Sequence, residues 1–381
     1  MEYEPLFYII IKYMIINKIS LINFKNILQA DIICSSKVNC FFGNNGMGKT
    51  NLLDAIYYLS FCKSHLHTPE SRIISYNEDL CVLQGEYSYD GRKEDIYCVI
   101  RREQRKQFKR NQKVYERLSE HIGLLPLVMV SPADSELIRG GSEERRRFMD
   151  VIISQYDKAY LQALMNYNKI LMQRNQMLRE QSRNITLYEV LEMQMGTYGK
   201  LIFEKRNQLI QSLIPYFNAY YQQIACSTET VDLSYTSQLY DNHLEKLLED
   251  NRIRESIVGY TLSGIHRDDL DMTLNDRLIR QSGSQGQNKT YLIALKLAQY
   301  AFLEANSNTK PILLLDDIFD KLDAERVEQI VELVSGDPFG QIFITDTNRK
   351  YLDRILTAIN QDYALFRVTN GEVFIMEKVK K

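Results

Sequence analysis

Eight consecutive residues, Gly43-Asn44-Asn45-Gly46-Met47-Gly48-Lys49-Thr50, constrain the fold more tightly than any other feature of the chain. They complete a GxxxxGKT pattern. The apolar run Val38–Phe42 in front of it reads as a strand, and the amphipathic run Asn51–Phe61 behind it reads as a helix. The residue types follow from the chemistry. Glycines let backbone N–H groups turn inward around phosphate oxygens, and the start of a helix adds partial positive charge. The Lys49 ammonium supplies a point charge to β- and γ-phosphates, and the Thr50 hydroxyl can ligate Mg²⁺. All eight residues are therefore assigned to ATP, with Lys49 also serving catalysis.

A second segment, Ile312-Leu313-Leu314-Leu315-Asp316-Asp317, reads as a buried parallel strand ending in two carboxylates. In an open α/β sheet such an end lies at the carboxyl edge, beside the phosphate loop. Asp316 is then the expected Mg²⁺ partner, and Asp317 is placed to orient or deprotonate the attacking water.

Ser284-Gln285-Gly286-Gln287 precedes a predicted helix, Asn288–Glu304. It resembles the signature of ATP-binding-cassette ATPases, usually LSGGQ, with Gln285 at the first glycine. Such a sequence is another helix start suited to an anion. In the cassette fold it points away from its own phosphate loop and completes an ATP site only across a two-fold axis. The resemblance thus implies a homodimer with two shared ATPs. Asp320-Lys321-Leu322-Asp323 resembles the D-loop that links such sites, with Asp323 its expected acid. No histidine stands at the switch position, where Thr345 or Asp346 is left to sense the γ-phosphate.

The 381 residues leave room for two domains, or for one with an insertion. From Glu143 to Cys226 apolar residues recur at helical spacing, broken once at 182–186 and bounded or kinked at Pro215. Two or three antiparallel helices are expected there. Strand-like runs are expected on both sides of a helix over Asp241–Ser256. As one continuous helix, residues 151–226 would reach only about 110 Å, so a lobe is expected rather than a long coiled coil. The fold class read from these features is α/β, a P-loop head of the ABC/SMC type with an inserted helical lobe. The ATPase lobe spans 1–142 and 258–381, and the helical lobe 143–257.

Charge is nearly balanced, 47 Lys+Arg against 49 Asp+Glu, which excludes a histone-like polycation and confines nucleic-acid contact to local patches. One such patch is the predicted hairpin 99–118, turning at Arg110-Asn111-Gln112-Lys113. Its basic residues are Arg101, Arg102, Arg105, Lys106, Lys109, Arg110 and Lys113, with Phe108 as a candidate stacking face. The plainer alternative is a solvated hairpin that protects an edge strand. The six cysteines form no CxxC pair, which argues against a zinc ribbon or disulfide scaffold and fits a reducing cytoplasm. Residues 5–16 are apolar, but Lys12 interrupts them and about 18 apolar residues are needed to span a bilayer. No membrane role is expected, and residues 1–13 read as an extension. His65 and His67 stand at strand spacing for a metal without a third ligand. Arg145–Arg147 and His266-Arg267-Asp268 are candidates for nucleotide or DNA contact, with structural ion pairing the alternative.

Beyond these motifs, the sequence from Met14 onward closely resembles the RecF family of bacterial DNA repair proteins. The resemblance is carried by Ser131-Pro132-Ala133-Asp134, by Gly140 to Asp150 (GGSEERRRFMD), and by Gly264-Ile265-His266-Arg267-Asp268-Asp269-Leu270. The SQGQ signature is the family's own variant. The chain departs from the family at Ser142 and Ile265, where proline is usual, and at Asp320-Lys321, where Ser-Glu is common. The resemblance implies an ATP-dependent DNA-binding protein that dimerises on ATP and marks gapped DNA. With RecO and RecR partners it would aid RecA loading in repair, replication and SOS induction, using slow ATP hydrolysis as a switch. The generic ATPase motifs alone also fit the ATPase subunit of an ABC-type transporter.

Overall fold

Parallel β-strands bury both faces, so the strand that feeds the phosphate loop should lie among apolar neighbours. In the computed structural model, which describes residues 12–89, 91–307, 309–320, 322–336 and 338–380, it does. Strand Val38–Phe42 pairs in parallel with Ile342–Asp346 on one side and Tyr363–Thr369 on the other. The sheet continues through Ile312–Asp316 to Leu127–Val130, and Glu372–Val379 closes the far edge antiparallel. All residues of Ile312–Asp316, Ile342–Asp346 and Leu127–Val130 are buried. With both faces of these three strands covered, it is at their carboxyl ends that they can present functional groups.

A second, largely antiparallel sheet belongs to the same unit, which gathers residues up to 132, 303–320 and 327 onward. Lys12–Phe24 and Ile27–Ile33 form its first hairpin, followed by Leu80–Tyr89, Arg92–Arg101, Gln107–Arg110 and Lys113–Val114. Asn111 and Gln112 take φ of 48° and 68°, as a two-residue hairpin turn requires. The expected extension 1–13 lies outside the described residues except for 12 and 13, whose backbone opens the first strand.

The second unit comprises residues 133–302 and 321–326. The expected helical lobe, 143–257, falls inside it, and the unit also takes in the strands and signature helix that follow. The longer helices over the expected lobe are Ser142–Tyr156, Lys158–Arg179, Ile185–Ala225 and Leu244–Val258. Asp157 and Asn184 cap the second and third of these by accepting from Tyr160 N and Leu187 N. Pro215 does not end the third helix, which continues for 41 residues, about 60 Å, because a proline removes one backbone donor while neighbouring turns and packing hold the rest. Of the two strands expected around Asp241–Ser256 only the first forms, as Val231–Thr236. Its partner is Asp269–Leu274, and residues 259–264 are irregular.

Two fully buried arginines knit this unit together. Arg174 meets Glu192 at 2.8 Å and Glu255 at 2.6 Å and donates to the Thr261 hydroxyl at 2.9 Å. Arg206 meets Asp150 at 2.9 Å and Asp268 at 3.3 Å and donates to the Ile265 carbonyl at 2.8 Å. Removing one partner of such a pair leaves a charge stranded in a medium of low dielectric, a loss of about 3–5 kcal/mol.

Candidate nucleotide site and basic hairpin

Strand register decides which side chains meet. Asp316 lies opposite Thr345, and Thr345 lies opposite Phe41, so three neighbouring strands end level. The chain leaves the middle of the sheet through Gly43. A Cβ there would stand 2.2 Å from the Val368 carbonyl oxygen, so only glycine lets the loop begin at this point. Gly46 and Gly48 have φ of 79° and 110°, which strains any L side chain. Helix Lys49–Phe61 then starts directly from the loop.

Two turns brace the loop from outside. Asn26, in the first hairpin turn, accepts from Asn51 Nδ2 at 2.7 Å and lies against Gly46. Gly371 N–H, in the Asn370-Gly371 turn, donates to the Met47 carbonyl at 2.9 Å. None of Asn26, Val368, Asn370 or Gly371 was picked out from the motifs. The Asn-Gly dipeptide is a hairpin signal, but nothing in sequence ties it to a loop more than 300 residues earlier.

Within this frame the assigned side chains converge. Lys49 Nζ donates to the Gly43 and Asn44 carbonyls at 2.7 and 2.9 Å. Burial lowers its pKa, opposed by the carboxylates of Asp317, Asp316 and Asp346. Thr50 Oγ1 donates to Asp316 Oδ1 at 3.0 Å, and the Thr345 hydroxyl donates to the same oxygen at 2.6 Å. Burial raises the Asp316 pKa, while these two hydroxyls pull it down. Asp317 leaves the strand in a left-handed conformation, φ 48°, with its N–H donating to the Thr345 carbonyl at 3.1 Å. The buried Asp346 accepts from Asn348 N–H at 2.5 Å. Of the two switch candidates, Thr345 therefore spends its proton on Asp316, and Asp346 caps the next turn.

Thr50 Oγ1 and Asp316 Oδ1 are spaced close to the edge of an octahedron of oxygens drawn about 2.1 Å from Mg²⁺. This donor set fits a hard divalent cation. Lys49 is held by two loop carbonyls, which a phosphate oxygen can replace.

The signature and Asp323 lie in the second unit. Helix Gln285–Asn306 begins at the signature itself, three residues earlier than Asn288. Ser284 Oγ accepts from Gln287 N–H at 3.2 Å, and Gln287 Oε1 accepts from Ser284 N–H at 2.8 Å, a reciprocal cap. Ser284 and Gln285 are exposed, and Gly286 and Gln287 are half-buried. Asp323 accepts from Arg326 N–H at 2.9 Å and forms an ion pair with its guanidinium at 3.2 Å.

The basic hairpin is divided by the pleat. Phe108 is buried, 6.3 Å from Tyr58 and 5.2 Å from His121 ring to ring, so it offers no stacking face to a base. Lys106 turns inward to Glu70, the Cys62 carbonyl and Tyr58. Arg110 forms a two-point pair with Glu94 at 2.9 and 3.0 Å. Lys109 lies over the Tyr97 ring. Arg101, Arg102, Arg105 and Lys113 are exposed, with Arg102 Nε bonded to the Glu78 carbonyl. Alternation in Gln107–Arg110 carries the signal for this split, since residues two apart share a face.

The remaining candidates all make contacts within the chain. His65 Nε2 lies 3.0 Å from the Ser131 hydroxyl, and no group of metal ligands occurs among the described residues. Arg145 is buried in a two-point pair with Asp269 at 2.6 and 3.0 Å. Arg146 donates to the Asp268 carbonyl, and Arg147 binds Glu144 and Glu143. Asp268 pairs with Arg206 rather than with the adjacent Arg267, which rests on Tyr260. His266 Nε2 donates to the Thr261 carbonyl at 3.2 Å, Nδ1 lies 3.0 Å from the Tyr167 hydroxyl, and burial pushes the ring's pKa down to about 4, favouring the neutral form.

The family profile described as RecF/RecN/SMC N terminal domain matches residues 15–372. The DNA replication and repair protein RecF of Parabacteroides distasonis is 66% identical over 365 residues, covering 96% of this chain and all of that one. Its counterpart in Bacteroides fragilis is 56% identical over 370 residues, covering 97% of this chain and all of that one. Among solved structures, that of the recombination mediator protein RecF with ATP, of the RecFOR pathway, superposes with a TM-score of 0.86 at 28% identity, covering 99% of this chain and all of that one. The Smc head domain of Pyrococcus furiosus shares the fold at 17% identity, with a TM-score of 0.59 over 96% of each chain. Among the described residues no helix is long and apolar enough to cross a membrane.

Proposed function

The chain belongs to the RecF family of DNA replication and repair proteins, and we propose that it is an ATP-gated homodimer that grips gapped DNA and releases it on hydrolysis. One observation carries this reading: Lys49, Thr50, Asp316 and Thr345 meet at the level ends of three parallel strands, directly below the glycine loop. In the reading, triphosphate oxygens take the place of the Gly43 and Asn44 carbonyls on Lys49, and loop N–H groups from Asn44 to Thr50 surround them. Thr50 and Asp316 would hold Mg²⁺, which supplies neutralising charge to the phosphates. Thr345 keeps Asp316 oriented, and Asp317 accepts the proton of the attacking water.

The second half of each site comes from a partner copy, through Ser284 to Gln287 and the D-loop acid Asp323. Each copy adds phosphate contacts only in the closed pair, so ATP shifts monomers toward dimer by differential affinity. The exposed Arg101, Arg102, Arg105 and Lys113 are the basic residues proposed to meet DNA. RecO- and RecR-type mediators as partners, RecA loading, SOS induction and a cytoplasmic setting follow the family reading. The test is a titration of gapped DNA with ATP, ADP and a non-hydrolysable analogue, with Lys49→Ala as control. Binding should need triphosphate and should vanish in the Lys49 variant. Equal affinity under all three nucleotides would overturn the reading.

A further inference from the structure

A carboxylate outside every recognised motif holds the signature in place. Glu229 Oε1 accepts from Gln287 Nε2 at 2.5 Å. Its other oxygen accepts from Tyr221 at 2.6 Å and from Ser227 at 3.2 Å. Tyr221 is a fixed anchor, fully buried in the last turns of the long helix, with its ring 6.3 Å from Phe217 and 6.2 Å from Tyr291 of the signature helix. Tyr291 in turn donates to the Asp232 carbonyl at 3.0 Å.

The chemistry of the Gln287 amide makes this contact directional. A carboxylate only accepts, so the NH₂ end of the amide must face Glu229 and the oxygen must face Ser284 N–H. The amide turned the other way would present NH₂ to N–H, and the reciprocal cap would open. With the cap closed, Ser284 Oγ is already an acceptor for Gln287 N–H. Its own proton is left to donate, and the side chain is exposed. A γ-phosphate offers acceptors only, so this is the polarity a triphosphate needs.

We infer that Glu229 is a positioning residue: through Gln287 it sets the Ser284 hydroxyl as a donor toward the ATP held by a partner copy. The inference rests on the shared-site reading above. Arg326 completes the arrangement. Its guanidinium stands 2.8 Å from where a Cβ on Gly286 would lie, and it is ion-paired with Asp323. Signature and D-loop acid therefore share one cation, which also offsets the negative charge of Glu229 near a phosphate. Burial pushes the Glu229 pKa up, but the bonds from Tyr221, Gln287 and Ser227 and the charge of Arg326 hold it below the usual range.

The experiment is sedimentation of the whole chain with ATP and Mg²⁺, alongside binding of a fluorescent ATP analogue at concentrations too low for dimers. Glu229→Ala should weaken ATP-dependent dimerisation by about tenfold or more, as for loss of a charge-assisted bond. Its affinity for the analogue as a monomer should match the unmodified protein. Glu229→Gln keeps an oxygen for Gln287 and should recover most of the dimer, a rescue that a lost charge or a generally loosened fold would not give. Wild-type dimerisation by Glu229→Ala, or a Gln variant as defective as Ala, overturns the inference. If Ser284→Arg abolishes the dimer while Glu229→Ala does not, only the role of Glu229 falls. If the unmodified protein ignores ATP, the shared-site reading falls with it.

Discussion

Lowering the pH from 7.5 to 5.0 is expected to destabilise the second unit through one imidazole. His266 is enclosed with Nε2–H on the Thr261 carbonyl and Nδ1 facing the Tyr167 hydroxyl. Burial, reinforced by the charges of Arg267, Arg146 and Arg174 and opposed by the Thr261 carbonyl, pushes its pKa down to about 4. The unfolded chain takes up the proton near 6.5, so it binds more protons than the folded one between these values. Stability is then full above pH 6.5, declines as the pH falls, and levels off below 4. The linkage amounts to about 2 kcal/mol at pH 5 and about 3 kcal/mol below both values. The chain has no tryptophan, so urea unfolding is best followed by far-ultraviolet circular dichroism, to which the helices contribute most. His266→Gln can reproduce both hydrogen bonds without a titrating group. It should be less stable than the parent at pH 7.5 and lose much less on acidification. Equal pH slopes in the two proteins would refute the reasoning.

The other predictions concern the nucleotide and DNA readings. Asp317→Asn should cut ATP hydrolysis by about a hundredfold or more while leaving a long-lived ATP dimer, measured by phosphate release and gel filtration. Because burial raises the Asp316 pKa, protons should compete with Mg²⁺ at higher pH than for an ordinary carboxylate. Mg²⁺-dependent ATP affinity should therefore fall on acidification more steeply than in Asp316→Asn, as titration calorimetry would show, and equal profiles would count against Asp316 as ligand. Replacing Arg101, Arg105 and Lys113 by Ala should flatten the salt dependence of DNA binding by about 2–3 in log–log slope. Lys106→Ala and Arg110→Ala should instead lower thermal stability, because those charges face Glu70 and Glu94.

The strand Val38–Phe42 and the helix behind the loop were legible because glycine spacing, a run of apolar residues and a lysine–threonine pair are all local. The same holds for Ile312–Asp316. Alternation marks which hairpin residues share a face, but the neutralisation of Lys106 and Arg110 was not legible, because their partners stand 36 and 16 residues away. A run of basic residues looks the same whether or not it is neutralised. Arg174 and Arg206 were invisible for a related reason: each sits in a polar helical stretch, and only tertiary packing reveals that it is buried. Pro215 is no boundary, because proline's local cost is outweighed by the helix on either side of it. Glu229 carries no sequence signal at all, since its importance lies in the orientation of a neighbouring amide.

The brace formed by the Asn370-Gly371 turn bears on biosynthesis. A Cβ at Gly371 would lie 2.1 Å from the Asn26 carbonyl, and strand Tyr363–Thr369 is a direct neighbour of Val38–Phe42. On the ribosome, a nascent chain carrying the first fifty residues therefore waits through some three hundred more before its phosphate-gripping loop has a wall to lean on. Until then those apolar strands have unpaired edges, and a truncation that stops short of residue 371 should yield a protein that aggregates before it ever meets a nucleotide.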